Sequence, residues 1–250
     1  MAWQSIDFIS DLHLDESRPQ TLAAWQRYMS CTTADAVLIL GDLFELWVGD
    51  DMRHQPFEAL CTQTLTQAGQ RLWLGLMMGN RDFLLAQDMA QACHAHALDD
   101  PFVLKAFGQR HLLTHGDAWC LTDTDYLAFR KMVRNSDWQH QFLSASLTQR
   151  LDTARHIRVQ SEARKQVSTL EVWADVDPDT AAQCLQAHES LSLIHGHTHR
   201  PASQTFALVD AMRHVLSDWE LDDAFAPHRA EVLRLSATGF RRLSLEQACA

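Results

Sequence analysis

The sequence predicts an α/β fold with a helical insertion and a second sheet. Between Ile6 and His96, short apolar runs alternate with stretches of helical spacing, as in an open α/β sheet. Residues 123–176 carry helical periodicity and no strand signal. After that insertion, β-like segments return, separated by polar turns.

Taken in order, Ile6–Ser10 reads as the first strand and Pro19–Met29, with Leu22, Trp25 and Met29 in register, as a crossover helix. Val37–Leu40 is the second strand. A long loop with Trp47, Gly49, Asp50 and Asp51 precedes a helix over Phe57–Ala68. Leu72–Met78 is the third strand, and Phe83–His96 is expected to be helical throughout. Phe102–Phe107 and His111–Thr114 flank a short turn at Gly108-Gln109 and read as a hairpin. The insertion has Tyr126, Phe129, Met132 and Val133, then Trp138, Phe142 and Ala145, at helical spacing, followed by a basic helical stretch over Arg150–Arg164. Asp177-Pro178 pairs a capping carboxylate with a first-turn proline, which starts a helix running to about His188. Leu191–Ile194 is a strand. Thr205–Val209, His214–Leu216, Glu231–Leu235 and Phe240–Leu243 suggest the second sheet. The main domain is therefore expected at 1–122 and 177–250, interrupted by the insertion at 123–176.

A chain of 250 residues, 46% apolar, supports one large domain or a domain with an inserted subdomain. Its formal net charge of −11 repels nucleic acid at long range, so no nucleic-acid partner is expected. The six cysteines have no paired spacing, which reads as buried or free thiols in a reducing compartment rather than a disulfide framework. The start, Met1 to Asp7, lacks a basic segment followed by an apolar one, so no signal peptide is expected. No window approaches a transmembrane run, which points to a cytoplasmic protein able to visit a membrane surface. Nothing indicates an oligomeric partner.

The chemistry is written at the strand ends. Leu38-Ile39-Leu40 runs into Gly41-Asp42, and Asp11-Leu12-His13, Gly79-Asn80, His115-Gly116-Asp117 and Gly196-His197-Thr198-His199 also follow apolar runs. Singly, each has a bland reading as a loop residue, a turn former or a satisfied core histidine. Together, Asp11, His13, Asp42, Asn80, His115, His197 and His199 form an oxygen and nitrogen set without thiolate, which suits a catalytic rather than a closed structural metal site. Seven side chains exceed one open-coordination metal and suit two, with Asp42 as the bridge. Two such metals polarise phosphate oxygens and activate water for in-line attack at phosphorus.

These motifs resemble the calcineurin-like metallophosphoesterase family. The resemblance implies a four-layer α-β-β-α sandwich. It would place one metal on Asp11, His13, Asp42 and His199, and the other on Asp42, Asn80, His115 and His197. Where many members carry a histidine after the asparagine, this chain has Arg81. Arginine grips phosphate but cannot act as a general acid near neutrality, so the position suits a leaving group that departs without a proton, as at a pyrophosphate bond. The stretches Leu40–Asp51, Gly79–Leu85 and Ile194–Pro201 are similar to those of the UDP-2,3-diacylglucosamine hydrolases, pyrophosphatases of lipid A biosynthesis. That similarity implies cleavage of a nucleotide-lipid to UMP and a diacylglucosamine 1-phosphate, two Mn2+ ions and peripheral attachment at the inner membrane. The insertion would then be a cap over the acyl chains.

By the same resemblance, Asp42, Asn80, Arg81 and His197 would be catalytic. Asn80, Arg81, Asp123, Arg158, Ser161, Lys165 and His197 would contact substrate. The chain departs from the pattern at Lys165 and Ser168, where members often carry asparagine and lysine. The alternatives are a phosphodiesterase or phosphatase acting on a soluble nucleotide or phosphoprotein, a non-catalytic scaffold and a nuclease. Arg81 argues against the first, retention of all seven ligand candidates against the second, and the acidic balance against the third.

Overall fold

The computed structural model describes residues 3–167, 174–206 and 209–250. The amino-terminal half builds β1 (Ser5–Ile9), α1 (Pro19–Cys31), β2 (Ala36–Leu40), α2 (Pro56–Gly69), β3 (Trp73–Met77), α3 (Gln87–Ala92) and β4 (His96–Leu98). A hairpin, β5 (Phe102–Ala106) and β6 (Gln109–Thr114), turns at Phe107 and Gly108, both with positive φ. The insertion is α4 (Thr124–Val133), α5 (Ser136–Leu143) and α6 (Leu147–Val167). Then follow α7 (Pro178–Ala187), β7 (Ser192–His195), β8 (Ala202–Phe206), β9 (Ala211–Val215), β10 (Glu231–Ser236), β11 (Gly239–Ser244) and α8 (Leu245–Ala248). As the sequence suggests, α7 opens on Pro178, with the Asp177 carboxylate accepting from Thr180 N.

Two sheets pack face to face. One has the order β11-β10-β1-β2-β3-β4, the other β5-β6-β7-β9-β8. Period-two alternation assigns each side chain a layer. On β2, Ala36, Leu38 and Leu40 join Ile6, Phe8, Leu104, Leu113 and Ile194 between the sheets, while Val37 and Ile39 face Trp25, Met29, Cys61 and Leu65 of the helices. On the far side, Leu112 and Leu193 pack against Ala181, Ala182 and Leu185 of α7. The result is helix, sheet, sheet, helix. Each fully buried leucine contributes about 1.5–3 kcal/mol to holding these layers.

Three sequence expectations need correction. Phe83–His96 is not one helix: α3 covers only Gln87–Ala92, and His96–Leu98 pairs parallel with β3 as a fourth strand. The carboxyl-terminal strands do not share one sheet, because β8 and β9 join the second while β10 and β11 return to the first beside β1. Cys31 and Cys249 form a disulfide across 218 residues, while Cys61, Cys93, Cys120 and Cys184 are free thiols. Short-range spacing cannot reveal a pairing that arises because α8 folds back against α1.

Candidate metal centre

The parallel strands deliver their carboxyl ends to one edge of the sandwich. β1, β2 and β3 of the first sheet lead to Asp11 and His13, Asp42 and Asn80, while β6 and β7 of the second lead to His115, His197 and His199. The backbone there is tightly constrained. Asp11, His13, Asp42, His197 and His199 all have φ between +48° and +65°; among the described non-glycine residues only His94, Phe107 and Glu189 share such a conformation. Side chains disfavour this region, and its concentration at one place marks a functional site. The loops also close on one another through glycines. A Cβ on Gly79 would overlap the Asp42 carboxylate, and one on Gly196 would overlap that of Asp11.

The side chains converge as two groups. Asp11 Oδ1 lies 3.4 Å from His199 Nε2, and His199 Nε2 lies 3.3 Å from His13 Nε2. Asn80 Oδ1 lies 2.9 Å from His115 Nε2 and 2.8 Å from His197 Nδ1. Asp42 sits between the groups: its Oδ2 is 3.9 Å from His13 Nε2 and 3.7 Å from His115 Nε2. The donor atoms of Asp11, His13 and His199, and those of Asp11, Asp42 and His115, are each close enough to hold one metal ion. Asp11 is therefore within reach of both groups.

The electrostatics call for a cation. Asp11 and His115 are fully buried, and Asp42 is nearly so. Burial alone would lower the pKa of His115, but the Asp42, Asp11 and Asp117 carboxylates push it up to about 9. Burial alone would raise that of Asp11, yet the hydrogen bond and charge of His199 hold it well below the usual carboxylate range. Burial and the His115 charge push His197 down to about 4. His115 Nδ1 faces the Leu40 carbonyl at 2.9 Å, an acceptor that requires N–H there and leaves Nε2 free as a ligand. Buried carboxylates that hold a proton on a facing imidazole show a site that favours positive charge, and carboxylate oxygens and imidazole nitrogens together fit a divalent metal site.

These observations fit the match of residues 5–201 to the family model for calcineurin-like phosphoesterases. The chain belongs to the calcineurin-like phosphoesterase family. It is 44% identical over 223 residues to a UDP-2,3-diacylglucosamine hydrolase of Chromobacterium violaceum, an alignment covering 86% of this chain and 90% of that protein. It is 40% identical to proteins of the same name from Bordetella parapertussis, covering 87% and 86%, and from Cellvibrio japonicus, covering 93% and 95% of the two chains.

Several residues that support this phosphoesterase centre are not among the sequence candidates. Glu45 Oε2 lies 2.8 Å from His13 Nδ1, and Asp218 Oδ2 lies 3.6 Å from His199 Nδ1, so a carboxylate stands behind each of these two imidazoles. Burial would raise the pKa of Glu45, but His13, Arg81 and Arg158 bring it down to about 2. Asp82 accepts from Gly79 N at 2.7 Å and Leu43 N at 2.8 Å, tying the Asp42 and Asn80 loops together. Burial and the Asp42 charge push Asp82 up to about 6. Glu45 and Asp82 lie inside stretches the sequence already marks; Asp218 carries no local signal.

The insertion is bound to the same loops. From α4, Arg130 Nε donates to Asp117 at 2.8 Å, Tyr126 donates its hydroxyl to the same carboxylate, and Arg134 donates to the Gly79 carbonyl. Arg150 of α6 is buried, donating to the Val48 carbonyl and pairing with Asp51. Arg81 gives its backbone N–H to Asp42 Oδ1 at 2.7 Å, and its guanidinium lies 3.6 Å from Glu45. The Asp123 carboxylate caps α4 by accepting from Tyr126 N. Arg158 pairs with Glu45. Ser161 and Lys165 are on α6 by their backbone, and Ser168 lies outside the described residues.

Proposed function

We propose that the protein hydrolyses the pyrophosphate bond of UDP-2,3-diacylglucosamine, a step of lipid A biosynthesis, releasing UMP and 2,3-diacylglucosamine 1-phosphate. The observation that carries this reading is Arg81, anchored to Asp42 through its backbone and with its guanidinium 3.6 Å from Glu45, at the position after the asparagine where many members of the family carry a histidine. The names of the relatives at 40–44% identity support the same substrate.

Asp11, His13, Asp42 and His199 would hold one divalent metal, and Asp42, Asn80, His115 and His197 a second, with Mn2+ as the expected ion. Metals bound there supply Lewis-acid stabilisation of charge on phosphate oxygens and lower the pKa of water. The chain's own residues do the rest. Asp82 and the backbone of Arg81 hold Asp42 between the two groups. The Arg81 guanidinium, paired with phosphate oxygens, orients the diphosphate and stabilises charge on the departing phosphate, which leaves without a proton. Asn80 and His197, linked at 2.8 Å, would contact the same phosphate in this reading. Water supplies the oxygen that enters at one phosphorus, and the bridging P–O bond breaks toward the other.

Residues 123–176 form the cap in this reading. Arg158, Ser161 and Lys165 sit at i, i+3 and i+7 on α6, so their Cα positions share one side of the helix, suited to the sugar phosphate. Asp123 is the further substrate contact. The apolar part is a groove of about 380 Å³ lined by Ala128, Lys131, Met132, Asn135 and Trp138. Trp138 stacks on Phe142 at 4.9 Å and tilts against Phe83 at 6.2 Å, next to the Arg81 loop. Phe142 and Leu147 pack on the main core, which leaves Trp138, lining the groove, as the aromatic proposed to meet a lipid. Among the described residues no helix is long and apolar enough to cross a membrane. In this reading the lipid substrate would be met by peripheral attachment at the inner membrane face.

The test is Mn2+-dependent turnover of UDP-2,3-diacylglucosamine in mixed micelles, with products identified by mass. Each buried acyl methylene contributes about 0.8 kcal/mol, so UDP-N-acetylglucosamine should be turned over orders of magnitude more slowly. Equal turnover of the two would remove the lipid substrate and leave a phosphoesterase acting on soluble nucleotides.

A further inference from the structure

Glu45 stands where the metal group meets the insertion. Its Oε2 lies 2.8 Å from His13 Nδ1, while His13 Nε2 faces Asp42 and His199. Its Oε1 pairs with the Arg158 guanidinium from α6 and lies 3.6 Å from Arg81 NH1. The Glu45 side chain is 15% exposed, whereas those of Arg81 and Arg158 are 35% and 37% exposed. A shielded carboxylate thus presents one oxygen to a metal-group histidine and the other to two arginines that solvent reaches.

We propose that Glu45 is a positioning residue with two linked tasks: it orients His13 toward the metal, and it holds Arg81 and Arg158 together until a substrate phosphate takes them over. The inference rests on the two-metal phosphoesterase reading and extends it to a residue that touches neither metal nor substrate.

The physical grounds are separate for each task. A carboxylate at the remote nitrogen of a metal-binding histidine fixes ring orientation and tautomer, and its loss typically lowers metal affinity about 10–100-fold. Arg81 and Arg158 come from different elements, a strand-end loop and α6, and two guanidiniums repel unless an anion lies between them. Glu45 is that anion in the unliganded protein. A phosphate, with several oxygens, accepts paired hydrogen bonds from both forks, where one carboxylate oxygen cannot. Exchange then moves Arg158 from Glu45 to the substrate and leaves Glu45 on His13. The insertion's grip on the metal loop is thereby passed to the phosphate.

Glu45 should therefore strengthen metal binding and weaken binding of small anions. The neutral isostere Glu45→Gln separates the two effects. Titration with Mn2+ followed by electron paramagnetic resonance should show affinity reduced about 10–100-fold. Calorimetry of the metal-free protein with inorganic pyrophosphate should show binding tightened by about fivefold, the scale of one partly exposed ion pair. Adding Arg158→Ala should abolish that gain. Glu45→Asp keeps the charge, so it should recover part of the Mn2+ affinity and should not tighten pyrophosphate binding. Unchanged Mn2+ affinity in Glu45→Gln, a loss of both affinities together, or identical behaviour of the Gln and Asp variants would overturn the proposal. Changes of opposite sign in a protein that leaves UDP-2,3-diacylglucosamine intact would remove the proposed substrate while supporting the positioning role.

Discussion

The Arg134 guanidinium, on the first helix of the insertion, donates to the Gly79 carbonyl at 2.8 Å, one residue before the candidate ligand Asn80. The same guanidinium lies 5.7 Å above the Phe83 ring, on the far side of the Asn80-Arg81 turn. The insertion is thus braced against the loop that carries two of the candidate site residues. Arg134→Met keeps the aliphatic stem but removes the charged donor. It should lower stability by about 1–2 kcal/mol and reduce turnover while the fold persists. Thermal melts and steady-state rates together check this; wild-type turnover would show that the brace is dispensable.

Asp42 lies between the two groups, so Asp42→Asn should disturb both. Turnover should fall by more than about 100-fold, beyond the usual effect of losing an outer partner. Chelation of the wild-type protein should do the same, with Mn2+ restoring activity. Full activity in a metal-free preparation would refute the two-metal reading.

Arg81 is proposed to act through its planar fork rather than as a bare charge. Arg81→Lys should therefore be clearly impaired, and Arg81→His should not improve pyrophosphate hydrolysis, because the leaving phosphate needs no proton. Wild-type rates in Arg81→Ala with bound metal would show that the side chain takes no part.

Asp82 gathers the backbone N–H groups of Gly79, Asp42, Leu43 and Phe44 onto one buried carboxylate. Asn in its place keeps one acceptor oxygen but turns an amide donor toward other donors. Asp82→Asn should cost at least about 2 kcal/mol in denaturant unfolding and should loosen metal binding as the loops part. A melt like that of the wild type would sink this account.

His214 lies almost fully buried against Phe240, with Ser203 on its Nδ1. Burial, then the charges of Arg242 and His111, push its pKa down to about 4. The unfolded chain takes up its proton near pH 6.5, so between there and about 4 the unfolded state binds more protons than the native one. His214 therefore costs nothing above pH 6.5, and stability drains away as pH falls through that window. In His214→Gln the slope of stability against pH should lessen by about 1.4 kcal/mol per unit, the value for one proton. Urea unfolding at several pH values is the check, and an unchanged slope would show that the proton goes elsewhere.

What the sequence determined by itself was local. Leu38-Ile39-Leu40 is apolar and β-forming, Gly41 permits a positive φ, and Asp42 follows; such signals lie within a few residues and need no partner to be read. The same held at Asp11, Asn80, His115 and His197, and for the Asp177-Pro178 helix start. Tertiary structure decided whatever depends on what lies alongside. Glu231–Ser236 and Gly239–Ser244 look like any two strands in sequence, and pair beside β1 because Leu233 and Leu235 fill the space between the sheets. Arg150 reads only as the start of a basic helical stretch, and the fold buries it on the Val48 carbonyl and Asp51. Cys31 and Cys249 meet only because α8 lies against α1. Glu45 and Asp218 come to stand behind His13 and His199 from 32 and 19 residues away, within contact distances of 2.8 and 3.6 Å. Hydrogen bonds and ion pairs act over a few ångströms whatever the separation along the chain, so only the folded chain selects which carboxylate orients which imidazole.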